Sequence, residues 1–320
     1  MAPGKPFRNS YPTASHGLKE VIRWQWQTRG QFPAPHDFPL HTPAPDVLAN
    51  PAPLPQLTWI GHASFLLQYQ GTAILTDPVF SLRCSPSQRL GPKRMVPAAL
   101  TVEQLPPINA VLISHNHYDH LDHHTVVQLQ RRFGNALTWY VPLGIAPWLR
   151  KRGVEQIVEL GWWQAASHEH WSAVCLPTQH FSGRGAVDKN KTLWCSWRLN
   201  YHDGYSVYFA GDSGYAPIFK DIHAHQGPVD LALLPIGAYE PRWFMAPVHM
   251  NPDEAVRAHV DLAARQSIGM HWGTFVLTDE PVDEPPKALA EARQRHAVAE
   301  RDFRVMAHGE TLVLSGPEPS

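Results

Sequence analysis

The clearest pattern of apolar and polar residues along the chain is one of strands and turns. The apolar segment 57–68 is followed by Gln70 and Gly71 and then by a second apolar segment, 72–76. Two such segments joined by a short turn that contains glycine are typical of a β-hairpin. A further apolar run, 111–114, ends abruptly in histidines. This pattern predicts a buried strand that delivers functional side chains at its C-terminal end.

Helical patterns alternate with the later strands. Asp122 is a suitable N-cap for a helix that ends before Gly134. Asn251, followed by proline and then by a capping-box glutamate, predicts a helix to residue 264, and another is expected over 286–298. Further strands are expected at 137–141, 173–176, 207–210, 231–235, 303–306 and 311–314. Strands that alternate with helices in this way favour sheets covered by helices in one α/β domain.

The first 56 residues have a different pattern. Eight prolines lie between residues 33 and 55. Each fixes φ and removes an N–H donor, so this segment is expected to form neither a helix nor an inner strand, but an extended arm on the surface. Before it, the apolar positions of 18–27 favour a helix docked on the core. The predicted organisation is therefore a helix and Pro-rich arm over 1–56 and a large domain over 57–320.

Composition and charge narrow the class of protein. With 43% hydrophobic residues in a chain of 320, a sizeable core can be buried. The 27 Lys+Arg and 28 Asp+Glu give a formal net charge of −1, which offers nucleic acid no general attraction. The three widely spaced cysteines exclude a disulfide framework and fit a reducing compartment.

Targeting and membrane segments are not visible in the sequence. The N-terminus lacks the apolar core of a signal peptide, and no stretch approaches the ~20 apolar residues of a spanning helix. We therefore expect a cytoplasmic protein whose contact with a membrane, if any, is peripheral. With a net charge of −1, that contact cannot rest on a generally basic surface. Assembly into a homodimer stays open.

Histidine changes this picture, because it both ligates metals and titrates near neutral pH. The chain has 20 histidines, and three of them lie with an aspartate directly after the strand at 111–114. His115 and His117 share one face of an extended segment. Asp119 and His120 follow at the turn into the next helix. The group can therefore serve two adjacent metal ions.

Two adjacent metals need further ligands and a bridging carboxylate from elsewhere in the chain. Three candidates follow apolar runs and have glycine nearby, so that their side chains can point into a shared cleft: His180, Asp212 and His271. His168 and His170 also form an H-x-H pair, but they lie in a polar turn with no Asp-His after them. We expect this second pair to be exposed to solvent.

Longer segments resemble one known family. They are TWIGHASFLLQ, LTDPVF, SPSQRLGPKR, LPPINAVLISHNHYDHLD, LTWYVPLG, PTQHFSGR, LWCSW, FAGDSGY, PIGAYEPRWFM, HMNPDEAV and HWGTF. Over 57–314 the chain resembles the N-acyl-phosphatidylethanolamine-hydrolysing phospholipase D family, within the metallo-β-lactamase fold superfamily. The resemblance implies an α/β fold, a four-layer αβ/βα sandwich with a binuclear zinc site at one edge.

The resemblance also implies roles for individual residues. One Zn²⁺ would be held by His115, His117 and His180. The other would be held by Asp119, His120 and His271. Asp212 would bridge the two ions, and other divalent metals could replace zinc. The residues expected to act catalytically are Asp119, Asp212 and His271.

Neighbouring residues are expected to support this centre. Asp77, at a strand end, is expected to accept a hydrogen bond from a ligand imidazole, with an ordinary turn-capping role as the alternative. His62 is considered for the same role. For substrate binding the candidates are Gln88, Tyr118, Arg184 and His249. Arg184 and His249 could contact phosphate, with a plain surface position as the alternative, whereas Tyr118 is expected to pack or orient rather than to act as an acid.

The predicted reaction follows from charge. Two divalent ions lower the pKa of a shared water and neutralise a phosphodiester, so no protein nucleophile is required. By resemblance, water would cleave the bond between phosphate and N-acylethanolamine and release phosphatidic acid. The alternative is a lactonase, a β-lactamase or a general phosphodiesterase on the same scaffold, since fold does not determine substrate. A metal-bound scaffold without catalysis is disfavoured, because all seven expected ligands are present.

A phospholipid substrate also predicts a wide apolar groove beside the metals. We expect its walls to come from 243–245 or from Trp24 and Trp26, since aromatic side chains suit the boundary between apolar and wet regions. For 243–245 the alternative is simple packing in the core.

Overall fold

The computed structural model describes residues 5–14, 17–28, 33–185 and 187–317. In these ranges the strands form two seven-stranded mixed sheets. The first contains, in spatial order, β14 (Thr311–Val313), β1 (Gln56–Gly61), β2 (Ser64–Tyr69), β3 (Thr72–Thr76), β4 (Ala110–Leu112), β5 (Thr138–Pro142) and β6 (Ile157–Leu160). The second contains β13 (Phe303–Val305), β12 (Ala264–Met270), β11 (Val229–Pro235), β10 (Ser206–Phe209), β9 (Ser196–Tyr201), β8 (Trp171–Leu176) and β7 (Ala165–Ser167).

Helices cover these sheets. They are α1 (Leu18–Gln27), α2 (Pro45–Ala49), α3 (His123–Phe133), α4 (Ala146–Arg150), α5 (Ile218–Gln226), α6 (Arg242–Met245), α7 (Pro252–Asp261) and α8 (Glu284–His296), with 3₁₀ turns at Val102–Gln104 and Gly134–Ala136. None of the helices in the described ranges combines the length and the apolarity needed to cross a membrane.

Two buried clusters hold the layers together. Between the sheets, Trp59 of β1 belongs to the same cluster as Trp197 of β9. On the other face of the first sheet, Leu66 of β2 packs in a cluster with Val126 of α3 and Leu149 of α4. Helix α7 packs against β11 and β12. Since each fully buried apolar side chain contributes ~1.5–3 kcal/mol, these clusters stabilise the order helix, sheet, sheet, helix that was predicted.

The predicted hairpin is confirmed, but the segment before it is two strands rather than one. The turn between β2 and β3 has positive φ at both Gln70 (48°) and Gly71 (72°), as type I′ hairpins require. The segment 57–68 divides into β1 and β2 because His62 adopts φ 58° and reverses the chain. The prediction of a single strand there was therefore wrong.

The predicted helix caps are confirmed. Asp122 accepts hydrogen bonds from the backbone N–H groups of His124 and Thr125 at the start of α3. Asn251 forms its capping box at the start of α7. That helix ends at Asp261 rather than at residue 264, because Ala263 adopts φ 47° and the chain turns there into β12.

The Pro-rich arm contains a short helix, which the sequence prediction excluded. Pro45 occupies the first turn of α2, where a helix needs no N–H donor from it. Leu48 of this helix is buried in the cluster beneath α3. The arm is also joined to the body of the protein, since the His41 N–H donates to the carbonyl of His308 over 2.8 Å.

Candidate metal centre

The seven predicted ligands lie at one edge of the sandwich, just beyond strand ends. His115 follows β4, Asp212 follows β10, and His271 comes directly after β12. Gly211 allows two of these segments to approach closely, because it adopts φ 57° and a Cβ there would lie 2.4 Å from the Cβ of Ser114. The carboxyl ends of strands from both sheets therefore meet at the candidate centre.

Three histidines form one group of possible ligands. The Nε2 atom of His115 lies 2.8 Å from Nδ1 of His117, and Nε2 of His180 lies 3.3 Å from the same atom. His180 uses its Nδ1 to donate to the carbonyl of Val248 over 2.9 Å, which leaves Nε2 directed at the group. Burial lowers the pKa of His117 to about 3 and that of His180 to about 4. Burial thus favours the neutral form of both rings, the form in which imidazole ligates a metal. For His271, by contrast, burial is outweighed by Asp212 and Asp119, which raise the pKa to about 9.

A second group surrounds Asp119. Its Oδ2 atom lies 3.3 Å from Nε2 of His271 and 3.4 Å from Nε2 of His120. The ligand atoms of these residues and of His62 all lie within 4.8 Å of one another. One carboxylate with two imidazoles is a donor set that suits zinc and similar divalent metals.

Asp212 lies between the two groups. Its Oδ2 is 3.1 Å from Nε2 of His120, and its Oδ1 is 3.2 Å from Nε2 of His271. The same Oδ2 is 3.8 Å from Nε2 of His180 and 3.9 Å from Nε2 of His115. Burial opposes the charged form, but His120 and His271 hold the pKa of Asp212 well below its ordinary value. A single ionised carboxylate therefore faces both groups.

The arrangement fits metal ions. Among the described residues, His120 Nε2, His271 Nε2 and Asp212 Oδ1 are buried without a hydrogen-bond partner, although each imidazole lies 3.1–3.2 Å from a carboxylate oxygen of Asp212. Buried polar atoms in proteins are normally satisfied, so nitrogen and oxygen atoms that converge in this way point to a shared ligand such as a metal ion. The donors are imidazole nitrogens and carboxylate oxygens, which are ligands of zinc and its neighbours. The cluster is thus able to bind metal.

Asp77 contacts a ligand imidazole, as predicted, whereas His62 contacts the carboxylate of Asp119. The Asp77 carboxylate accepts from Nδ1 of His120 over 2.6 Å and from the Ser114 N–H over 2.7 Å. This fixes the tautomer of His120 and directs its Nε2 to the centre. His62 Nε2 lies 3.0 Å from Oδ2 of Asp119. Each of the two residues therefore orients one ligand.

His249 lies in the centre itself, closer to the ligands than the sequence suggested. Its Nδ1 is 4.0 Å from Oδ2 of Asp212, and with His180 and Asp212 it forms a further group of possible ligands. Its side chain is 14% exposed, so one side remains open to an incoming molecule. Its segment, HMNPDEAV, was the only signal for it in the sequence.

The other predicted substrate contacts lie further from the ligands. Arg184 directs Nη1 to the carbonyls of Asn116 (2.8 Å) and Leu121 (2.6 Å), and its guanidinium lies 3.9 Å from the ring centroid of Tyr118. Its charge thus faces the carbonyls at both ends of the segment 116–121, which we call the metal-binding loop. Gln88 exchanges two hydrogen bonds with the backbone of Arg83 within its own loop.

His168 and His170 lie at the turn between β7 and β8, apart from the seven ligands. The prediction that they are exposed holds for the side chain of His170, which is 45% exposed, but not for His168, which is half-buried. The cause is the ring of His168, which stacks on that of Trp171 with centroids 4.8 Å apart.

A cavity of about 530 Å³ opens beside the centre and is bounded on one side by His180. Its apolar wall includes Val21 of α1, Phe181, Phe244 and Val248. Of the predicted groove walls, only Phe244 lines it among the described residues. Trp24 stands behind Phe244 and stacks on it, whereas Met245 is buried in the protein.

The segment before α1 is also part of this site, which the sequence did not indicate. Asn9 lines the cavity, and its Oδ1 accepts from the His180 N–H over 3.1 Å and from Nε1 of Trp194 over 2.9 Å. The carbonyl of Tyr11 accepts from Nε2 of Gln179 over 3.2 Å. These are single contacts between distant parts of the chain, and no pattern in the sequence predicts them.

Comparison with protein families gives one match over most of the chain. The model described as "Beta-lactamase superfamily domain" matches residues 72–272. These residues include the seven ligands.

Individual relatives are similar over longer stretches. An uncharacterized protein of Mycobacterium tuberculosis is 43% identical over 282 residues, which are 86% of this chain and 74% of the relative. An N-acyl-phosphatidylethanolamine-hydrolyzing phospholipase D of Caenorhabditis elegans is 40% identical over 245 residues, 73% of this chain and 68% of the relative. The structure of a possible metal-dependent hydrolase of Veillonella parvula superposes with a TM-score of 0.65 at 18% identity, over 82% of this chain and 100% of that chain.

Proposed function

Since the chain belongs to the metallo-β-lactamase superfamily and is a metal-dependent hydrolase, we propose that its substrate is an N-acylated phospholipid. The enzyme would be a zinc phosphodiesterase of the phospholipase D type. It would hydrolyse N-acyl-phosphatidylethanolamine to N-acylethanolamine and phosphatidic acid. The partners in this proposal are the phospholipid and, peripherally, the membrane that contains it.

The observation that carries the proposal is the apolar cavity beside the metal-binding cluster. Its volume of about 530 Å³ is of the size that proteins use for small organic ligands, and most of its lining is apolar. A general phosphodiesterase has no need of such a wall beside its ligands. The similarity to the phospholipase D of Caenorhabditis elegans supports the same substrate class.

The chemistry divides between the bound ions and the chain. Two divalent ions, when bound, lower the pKa of a water and neutralise the phosphodiester. The ligands on both sides of Asp212 would hold them, with Asp212 shared. Asp77 keeps His120 in one tautomer, and His62 restrains Asp119.

The substrate would be positioned by residues around this centre. His249, 4.0 Å from Asp212 and partly exposed, would contact a phosphate oxygen. An acyl chain would lie against Val21, Phe181 and Phe244 in the cavity. Tyr118 and Arg184 would form the rim of the cavity. The Arg184 guanidinium already donates to two carbonyls of the metal-binding loop, so its role would be to hold that rim in place.

The test is product analysis with metal-loaded protein. Metal content is measured first, and N-acyl-phosphatidylethanolamine in detergent micelles is then offered, with mass spectrometry of the products. We expect phosphatidic acid and N-acylethanolamine in equal amounts. Free fatty acid as the product, or no turnover, would contradict the proposal.

Parallel assays separate the substrate from the reaction type. Bis(p-nitrophenyl) phosphate, a lactone and a β-lactam are offered to the same preparation. If the soluble diester is hydrolysed and the lipid is not, the assignment as a phosphodiesterase stands and the lipid substrate is rejected. If the lactone or the β-lactam is the preferred substrate, the assignment as a phosphodiesterase is itself rejected. The Asp212→Ala variant controls for contaminating hydrolases.

A further inference from the structure

Four residues form a stripe on the outside of α1. Lys19, Ile22, Arg23 and Trp26 occupy positions i, i+3, i+4 and i+7, so they lie on one side of the helix. Ile22 is 56% exposed and Trp26 is 76% exposed, and the two basic residues beside them are exposed as well. We call these four residues the α1 outer face.

The opposite side of α1 is fixed to the protein. Trp24 donates from Nε1 to Oδ2 of Asp279 over 2.7 Å, and its ring stacks on Phe244 with centroids 5.1 Å apart. Val21 lines the cavity. Because these contacts set the rotation of the helix, Ile22 and Trp26 are held toward the surroundings and not toward the core.

We propose that the α1 outer face docks the protein on an anionic lipid bilayer. Indole and aliphatic side chains enter the boundary between headgroups and acyl chains. Lysine and arginine beside them keep their charges at the headgroup phosphates. A local pair of cations can do this although the net charge of the whole chain is −1. The inference rests on the proposed function, which supplies the reason to approach a lipid surface.

The docking face is continuous with the cavity. The Arg23 guanidinium lies 4.9 Å from the ring centroid of Trp243, which is 40% exposed, and the next residue, Phe244, lines the cavity. One side of α1 would therefore contact lipid while its other side forms the cavity wall that leads to His180. An acyl chain could then pass between bilayer and site without crossing water.

Charge favours a bilayer over a second copy of the chain. Self-association through this face about a twofold axis would bring Lys19 and Arg23 of one copy toward their counterparts in the other. The acidic residue of α1, Glu20, accepts from the Gly17 N–H over 2.8 Å at the start of the helix. A surface of anionic headgroups complements the two cations, whereas an identical face repels them.

The test is cosedimentation of the full chain with vesicles of phosphatidylcholine, with and without phosphatidic acid, in the absence of N-acylated substrate. We expect binding to the anionic vesicles that weakens at high salt. Ile22→Ser with Trp26→Ser should lower the affinity by about tenfold or more, and Lys19→Glu with Arg23→Glu should abolish the preference for anionic vesicles. Val260→Ser is the matched control, because Val260 lies on α7 and is also 56% exposed.

Several results would overturn the inference. These are equal binding by the wild type and both pairs of variants, an equal loss in Val260→Ser, and a dimer in sedimentation equilibrium that the Ile22→Ser and Trp26→Ser pair abolishes. Hydrolysis in detergent micelles is measured separately. Vesicle binding through the face without micellar hydrolysis would leave docking in place and reject the proposed function. Hydrolysis in micelles together with unaltered vesicle binding by the variants would keep the proposed function and reject docking through the α1 outer face.

Discussion

The metal centre and the N-terminal part of the cavity wall are built in opposite ways. Every ligand of the centre follows a strand or lies in a buried loop, and hydrogen bonds such as that of Asp77 to His120, at 2.6 Å, fix its orientation. The N-terminal wall consists of a loop and a helix that are joined to the body by partly buried side-chain contacts. Among these are the bond of Trp24 to Asp279 and the bond of Asn9 to the His180 N–H.

This difference separates the reaction from the choice of substrate. Metal chemistry requires particular atoms at particular distances, so the ligands belong to the most rigid part of the fold. An acyl chain requires only apolar volume, which many side chains on a peripheral helix can supply. Changes in the centre should therefore remove activity on every substrate, whereas changes in the N-terminal wall should alter only the preference among substrates.

The largest effect is expected for Asp212→Ala. The carboxylate faces both groups of ligands, so its loss should release metal and lower kcat/KM on bis(p-nitrophenyl) phosphate by more than the ~10 to 100-fold typical of residues behind ligands. Metal content by mass spectrometry and steady-state kinetics measure the two effects. Asp253→Ala, a carboxylate on α7 paired with Arg295, is the control. Unchanged metal content with full activity would contradict the shared role of Asp212.

A smaller loss is expected for Asp77→Ala. Without this acceptor the His120 ring loses its fixed tautomer, and metal affinity should fall ~10 to 100-fold. Competition with a chelator measures the affinity. Asp77→Asn should restore part of it, because the amide oxygen can still accept from His120 Nδ1. A loss equal to that of Asp212→Ala would show that Asp77 does more than orient a ligand.

Val21→Trp tests the wall and not the centre. The larger side chain would fill part of the cavity, so kcat/KM for a long-chain N-acylated phospholipid should fall by about tenfold or more, since the loss of a single methylene contact already costs about that factor. The loss on a short-chain substrate should be smaller. Val260→Trp, on the exposed side of α7, controls for a bulky substitution on a helix. Equal losses on long and short chains would mean that the cavity does not hold the acyl chain.

The centre could be predicted from the sequence because few residue types ligate metals and the spacing of four of them in this chain is distinctive. An H-x-H-x-D-H segment after an apolar run is recognisable by itself, and His180, Asp212 and His271 each follow an apolar segment with glycine nearby. The helix caps at Asp122 and Asn251 were predictable for the same reason, since few residues can perform that role.

For the N-terminal wall the sequence suggested Trp24 and Trp26 but did not single out Val21, which lines the cavity, because nothing in these residue types distinguishes a cavity from a core. Val21 and Trp24 fit the inner side of any docked helix, and the bond from the His180 N–H to Asn9 joins residues 171 positions apart. The short helix α2 was missed because the penalty of proline vanishes at the first helical position. Pairings of this kind depend on the assembled fold and not on local pattern.

The smallest effect is expected for Trp24→Phe, which tests how far the wall and the centre are independent. Phenylalanine can keep the stack on Phe244 but loses the Nε1 bond to Asp279, and water can reach the partly exposed carboxylate. The free energy of unfolding should therefore fall by only ~0.5–1.5 kcal/mol. Thermal unfolding measures this change. The preference for long-chain over short-chain substrate should decline, because α1 holds Val21 in the cavity wall, while metal content stays that of the wild type. If metal content declined together with chain-length preference, the helix would be coupled to the ligands through Asn9 and His180, and the separation of reaction from substrate choice would fail at that contact.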